Sequence, residues 1–223
     1  MSEIVVKRAT NDLQKEARRG AILSAARELF MDSGFFDLSM ATIAKKSGLA
    51  KGTVYLYFKT KEEIFLALST EEMNAWLDDL DHQLSEQDKP IDIEAFLSLL
   101  LKSTEERELM RRLSSILHLV LEKNITYEQA FSFKHQLMLR LHHTGNLIEK
   151  TLAFMEEGQG GYFLTTLHCL VIGWVQMTDH SPVMEKVLEH PDMAPLTFDL
   201  QERLFESLGF ILTGMETAAM AQR

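Results

Sequence analysis

The run Ser39-Met40-Ala41-Thr42-Ile43-Ala44-Lys45-Lys46-Ser47-Gly48-Leu49-Ala50-Lys51-Gly52-Thr53-Val54-Tyr55-Leu56-Tyr57-Phe58 decides the fold. Ser39 is an N-cap type whose hydroxyl takes an unpaired N–H, so a helix is predicted over residues 40–46, stopping near Gly48. A second short helix follows over 51–57. Ile43, Ala44, Leu49 and Val54 supply small apolar groups that lock the pair together. Two short helices joined by a tight turn and packed on a longer first helix make a helix-turn-helix. The polar residues left over on its second helix are Lys51, Thr53, Tyr55 and Tyr57, which carry groups that reach bases and phosphates.

Outward from this run, the whole chain reads as helix. Residues 11–33 form the first one, with Leu13, Ala17, Ala21, Ala25 and Leu29 as a stripe, Ile22, Ala26 and Phe30 beside it, and Gly34 closing it. A fourth helix starts at Thr60, where Thr60 and Glu63 spell a capping box, and runs to about residue 84. Residues 85–90 are a polar turn. Further helices are predicted over 91–102, 105–123, 127–156 (behind a second capping box, Thr126 and Gln129), 162–178 and 198–219. Gly158, Gly160 and Gly161 read as a break between the third and fourth of these. A short helix follows Ser181-Pro182, and Pro191 and Pro195 end it. The fold class is all-α. A three-helix DNA-binding domain with its N-terminal arm occupies 1–62 and a helical ligand-binding and dimerisation domain 63–223, the fourth helix linking them.

Charge divides the same way. Residues 1–62 carry 11 Lys/Arg against 7 Asp/Glu, and the remainder 12 against 26, within a formal net charge of −10. A basic head on an acidic body turns the head toward a polyanion. One cysteine excludes an internal disulfide, and no stretch has the length of a secretory signal or a membrane span, so a cytoplasmic protein with no membrane partner is expected.

Extended through Lys59-Thr60-Lys61-Glu62-Glu63-Ile64-Phe65, and preceded by Ala25-Ala26-Arg27-Glu28-Leu29-Phe30, the opening run resembles the N-terminal signature of TetR-family repressors over residues 15–66, position by position and without a gap. Two positions depart from that pattern: Ala50 stands where the family usually has Ser or Thr, and Leu56 where many members carry a polar or aromatic residue. The resemblance implies a dimer with two DNA heads and a C-terminal body that binds an effector. It also implies that the last two long helices of each protomer build a four-helix interface. Their all-round apolar character agrees, and Gly173, Leu204, Leu208, Ile211 and Leu212 are the expected interface residues. Gly173, Gly209 and Gly214 offer close backbone approach there.

Other constellations carry less. Eight histidines contain no HExxH motif and no Cys/His cluster, and no metal or cofactor is expected. Cys169 reads as a buried, inert thiol. No G-x-S-x-G, P-loop or dinucleotide fingerprint occurs, so the chain is not expected to be an enzyme. Two mixed faces are candidate pocket linings: Phe131, His135, Met138 and His142 on the long helix, and Thr165, His168, Cys169, Ile172 and Gln176 on the next.

The expected function is sequence-specific binding to a near-palindromic double-stranded operator as a homodimeric repressor, released by a small-molecule effector whose charge is open. The alternative is a TetR-like regulator whose body answers to a protein partner. A helical enzyme or carrier with a vestigial helix-turn-helix is the third reading, and the intact Lys51, Tyr55, Tyr57 and Lys61 speak against it. The expected DNA contacts are Ser39, Lys51, Gly52, Thr53, Tyr55, Tyr57, Thr60 and Lys61. Among these, Lys51 suits guanine, Thr53 suits a thymine methyl, and Ser39, Thr60 and Lys61 suit phosphate.

Overall fold

The computed structural model describes residues 2–178 and 180–222, with side chains from residue 12 onward. Met1, Asp179 and Arg223, of which the first and last bound the two expected domains, lie outside the described residues. Among those described there is no strand. The helices are α1 (Ser2–Ser33), α2 (Met40–Lys46), α3 (Lys51–Tyr57), α4 (Lys61–Ser85), α5 (Ile93–Thr104), α6 (Glu108–Ile116), α7 (Tyr127–Thr151), α8 (Gln159–Thr178), α9 (Pro182–Leu188) and α10 (Leu200–Ala221). A π-helical turn, Leu117–Leu121, follows α6, and a 3-10 turn, Pro191–Leu196, follows α9.

The chain forms two compact units. One runs to Glu71 and takes in Leu117–Ile125; the other holds Glu72–Ile116 and the residues from Thr126 on. In the first unit, Ile22, Ala26 and Phe30 of α1, Ile43 and Ala44 of α2, Val54 of α3 and Phe65 and Leu68 of α4 are buried. Phe65 sits between Phe30 and Phe35, each with its ring centroid 5.2 Å away. The buried face of α1 is thus Ile22, Leu23, Ala25, Ala26 and Phe30. Leu13, placed in the main stripe by sequence, is exposed, on a helix that begins nine residues earlier than expected.

The second unit is built on Leu77 and Leu80 of α4, Phe96, Leu97 and Leu100 of α5, Ile148 of α7, Phe163, Leu164 and Leu167 of α8, and Leu204, Leu208 and Leu212 of α10. Here α7 packs on α8, and α10 on α5 and α8. A polar clasp ties α7 to α4. Arg140 pairs with Asp78 at 2.7 Å and Asp81 at 3.0 Å, and the Thr144 hydroxyl donates to Asp81 at 2.6 Å.

Three sequence expectations are corrected. The helix predicted over 105–123 is two elements, α6 and the π-helical turn, in which the Glu122 N–H reaches the Leu117 carbonyl five residues back. Of the three glycines read as a break, only Gly158 turns, with φ 87°. Gly160 and Gly161 belong to α8, and they lie against Gly145 of α7, where a Cβ on Gly160 would sit 2.1 Å from the Gly145 carbonyl oxygen. The helices there touch backbone to backbone. Finally, Leu204, Leu208 and Leu212 are consumed by the protomer's own core, with Leu208 fully buried. A charge at Leu208 therefore strikes folding, not association.

Candidate nucleic-acid interface

The turn between α2 and α3 is set by local chemistry. The Ser39 hydroxyl accepts the Thr42 N–H at 3.2 Å and the Thr42 hydroxyl oxygen accepts the Ser39 N–H at 3.0 Å, so two free donors at the start of α2 are satisfied reciprocally. At its end, Gly48 has φ 70°, its N–H reaches the Lys45 carbonyl, and the Leu49 N–H reaches the Ala44 carbonyl. This is the Schellman closure, in which glycine takes a left-handed conformation without a Cβ penalty. The chain then turns straight into α3, whose N-cap, Ala50, offers no side-chain oxygen.

Val54 is the buried residue of α3, and Phe58 just beyond it is buried too. Lys51, Gly52, Tyr55 and Leu56 are exposed; Thr53 and Tyr57 are half-buried on the flank. The Lys51 ammonium lies 5.9 Å from the centre of the Tyr55 ring. Ser39 is exposed at the start of α2, and Thr60 is half-buried before α4. The Thr60 hydroxyl accepts the Glu63 N–H at 3.2 Å, while the Glu63 carboxylate takes the Lys59 N–H at 2.7 Å, one residue earlier than a capping box requires.

Lys61 departs from its expected role. Its ammonium donates to the Phe35 and Leu38 carbonyls, both at 2.9 Å, and lies 4.2 Å from the centre of the Phe35 ring. Two of its three donors hold the α1–α2 connection, which gives Lys61 a positioning role within the protomer. Lys46 is also engaged, 2.7 Å from Glu28, and its hydrogen bond to that carboxylate raises its pKa above the ordinary lysine value. Lys61→Ala is expected to lower stability by about 2 kcal/mol through removal of these charge-assisted bonds, about 4–8 °C in melting temperature. The slope of log affinity against log salt for DNA should stay at the parent value. A slope reduced by about one unit would return Lys61 to phosphate binding.

The two faces read as pocket linings are both solvent-facing. On α7, Tyr127, Phe131 and His135 stack in series, with centroids 6.1 and 6.0 Å apart. Met138 and His142 carry that face into a groove of about 380 Å³ lined also by Lys134, Leu137, Leu141, Asn146, Glu149, Gly158 and Gly161. On α8, Thr165, Cys169, Gly173 and Gln176 are exposed along one face, and His168 and Ile172 are half-buried beside it. This corrects Cys169, whose apolar sequence neighbours turn inward and leave the thiol outside. The α8 set does not line the groove. Among the described residues no cluster of His, Cys, Asp or Glu could hold a metal ion, and no helix is long and apolar enough to cross a membrane.

A capped α2, a Schellman turn and an α3 anchored by one buried valine, with polar and basic groups facing out, define a helix-turn-helix DNA-binding regulator. Comparison with known families agrees. The family described as bacterial regulatory proteins, tetR family, matches residues 22–68, and the family described as tetracyclin repressor-like, C-terminal domain, matches residues 70–219. The chain belongs to the TetR family of transcriptional regulators. It is similar to the fatty acid metabolism regulator protein of Bacillus subtilis, with 35% identity over 74 residues, 33% of this chain and 38% of that protein. The chain thus spans well under half the length of that relative. Among solved structures it is similar to the fatty acid degradation regulator FadR of Bacillus halodurans, with TM-score 0.57, 21% identity, and 88% of this chain and 95% of that one covered. It is also similar to FadR of Thermus thermophilus, a TetR-family repressor solved with lauroyl-CoA, with TM-score 0.56, 22% identity, and 88% and 94% covered. At these identities the two structures speak to the fold.

Proposed function

We propose that this TetR-family chain is a homodimeric repressor. Residues 1–62 read a near-palindromic operator, and the body from residue 63 binds a small-molecule effector that releases the DNA. The observation that carries the DNA reading is the outward face of α3, where Lys51, Gly52 and Tyr55 stand exposed while Val54 holds the helix down. Ser39 and Thr60 flank it as phosphate anchors, and Thr53 and Tyr57 brace its side.

For dimerisation, the outward faces of α8 and α10 support the proposal. Gly173 is exposed, Ile211 is half-buried, and Phe210 is 79% exposed. A phenylalanine so exposed beside other apolar groups marks an interaction surface. Phe210→Glu is expected to keep the protomer folded and to weaken self-association at least tenfold by sedimentation. An undisturbed dimer would move the interface elsewhere.

For the effector, the groove along α7 supports the proposal: an apolar wall of Leu137, Met138 and Leu141 meets Lys134, His142 and Asn146. A site of a few hundred cubic ångströms with few polar groups suits an amphipathic ligand. Lauroyl-CoA, bound by a neighbour of the same fold, is the first probe, and a lipophilic cation is the second, because the body is acidic. An effector releases DNA only by preferring the non-binding state. At about 100 times its Kd it should add about 2.7 kcal/mol of stability, about 5–11 °C in melting temperature, and the same concentration should dissociate the operator complex. A shift from neither probe, with the operator complex intact, would count against small-molecule control.

A further inference from the structure

Two residues of α3 have no explanation in the folding of the protomer. Leu56 is 78% exposed. Gly52 sits inside a helix, where glycine is less stable than alanine. Its φ lies outside the left-handed region, and a Cβ added there would meet nothing within 4 Å. Neither strain nor crowding requires a glycine at that position.

Their placement supplies a reason. At about 100° per residue, Gly52 and Leu56 lie about 160° round the helix from the buried Val54, on either side of the point opposite it. They form the outermost ridge of α3. Lys51 and Tyr55 flank that ridge on one side; Thr53 and Tyr57, half-buried, flank it on the other. A helix entering a major groove with this ridge leading brings its backbone closest at Gly52 and its one projecting apolar side chain at Leu56. Base edges in the major groove are donors and acceptors with a single apolar exception, the 5-methyl group of thymine.

We propose that Leu56 determines operator specificity by packing on a thymine methyl, and that Gly52 lets the helix come near enough for it to do so. Thr53, which the sequence pairs with a thymine methyl, lies on the flank. The proposal rests on the reading that α3 enters the major groove, and deepens it. It assigns base selection to a residue with no hydrogen-bonding group, at one of the two positions where this chain departs from the family pattern.

The test uses the full chain and an operator selected from random duplexes. Each thymine of a half-site is replaced in turn by deoxyuridine, which removes the methyl and keeps the pairing. At one position, affinity for the parent should fall about fourfold per methyl, the effect of uncovering one buried methyl-sized group. Leu56→Ala should bind the thymine duplex more weakly, and the penalty for deoxyuridine at that position should vanish. Gly52→Ala should weaken binding at least tenfold with an unchanged or higher melting temperature, which separates close approach from misfolding. Deoxyuridine penalties identical in parent and Leu56→Ala, or absent from the parent at every thymine, overturn the proposal. If Lys51→Ala then still loses affinity, α3 remains the reader and only the role of Leu56 falls. If no operator can be selected, or Lys51→Ala binds like the parent, the reading of α3 falls with it.

Discussion

Alanine at Gly160 is expected to cost this protein about 4 kcal/mol or more, a drop of about 8–16 °C in melting temperature. The added methyl carbon would stand 2.1 Å from the Gly145 carbonyl oxygen and 2.7 Å from its carbon. Both are backbone atoms inside α7, so no rotamer change relieves the clash, and α7 and α8 must separate. Separation would undo the packing around Ile148, Phe163 and Leu164 and move the walls of the α7 groove. The Glu149 carboxylate, which accepts the Gly160 N–H at 2.9 Å, would lose its partner as well. Gly20→Ala is the control: it lies inside α1, nothing stands within 4 Å of its Cβ, and stability should stay level or rise. The measurement is thermal or denaturant unfolding of both variants. A Gly160→Ala protein that melts with the parent would mean that α7 and α8 do not touch through their backbones.

What is legible in the sequence follows the range of the forces involved. The head can be read because its structure is fixed within four or five residues. Ser39 caps α2 by bonding Thr42, Gly48 closes it by turning left-handed, and Val54 anchors α3. Thr126 and Gln129 form their capping box for the same reason, at 3.0 and 3.4 Å. The body is legible only as helices. An α10 apolar on several faces does not say which face its own core consumes, so Leu204, Leu208 and Leu212 read as outward and lie inward. Gly160 and Gly161 look like helix breakers because the backbone that needs their missing side chains belongs to another helix. Lys61 looks like a phosphate ligand because the Phe35 and Leu38 carbonyls that occupy it lie more than twenty residues away in the chain. Leu56 reads as a departure from a pattern, yet it is the most exposed large apolar side chain of α3.

Loss of Lys51 should produce the largest change in DNA binding. Lys51 opens α3, exposed, with its ammonium over the Tyr55 ring at 5.9 Å. A recognition helix lying in the major groove brings its first residues against base edges. On the function proposed above, Lys51 sets its charge against the O6 and N7 acceptors of guanine, the pairing lysine makes best. Removing one such pairing costs about 1–3 kcal/mol, and a two-fold dimer forfeits it in both half-sites, spaced about 34–36 Å apart. Lys51→Ala should therefore weaken operator binding by about 2–6 kcal/mol, roughly thirtyfold to twenty-thousandfold. It should also relax base preference at one position in each half-site, and Tyr55→Ala should relax a neighbouring position. Ser39→Ala, at a proposed phosphate anchor, should weaken all duplexes alike. Binding curves on the selected operator and on single-base variants distinguish these outcomes. Should the Lys51 and Tyr55 variants bind the operator as tightly and as selectively as the parent, α3 is not the reading helix, and the exposed ridge of this head serves another purpose.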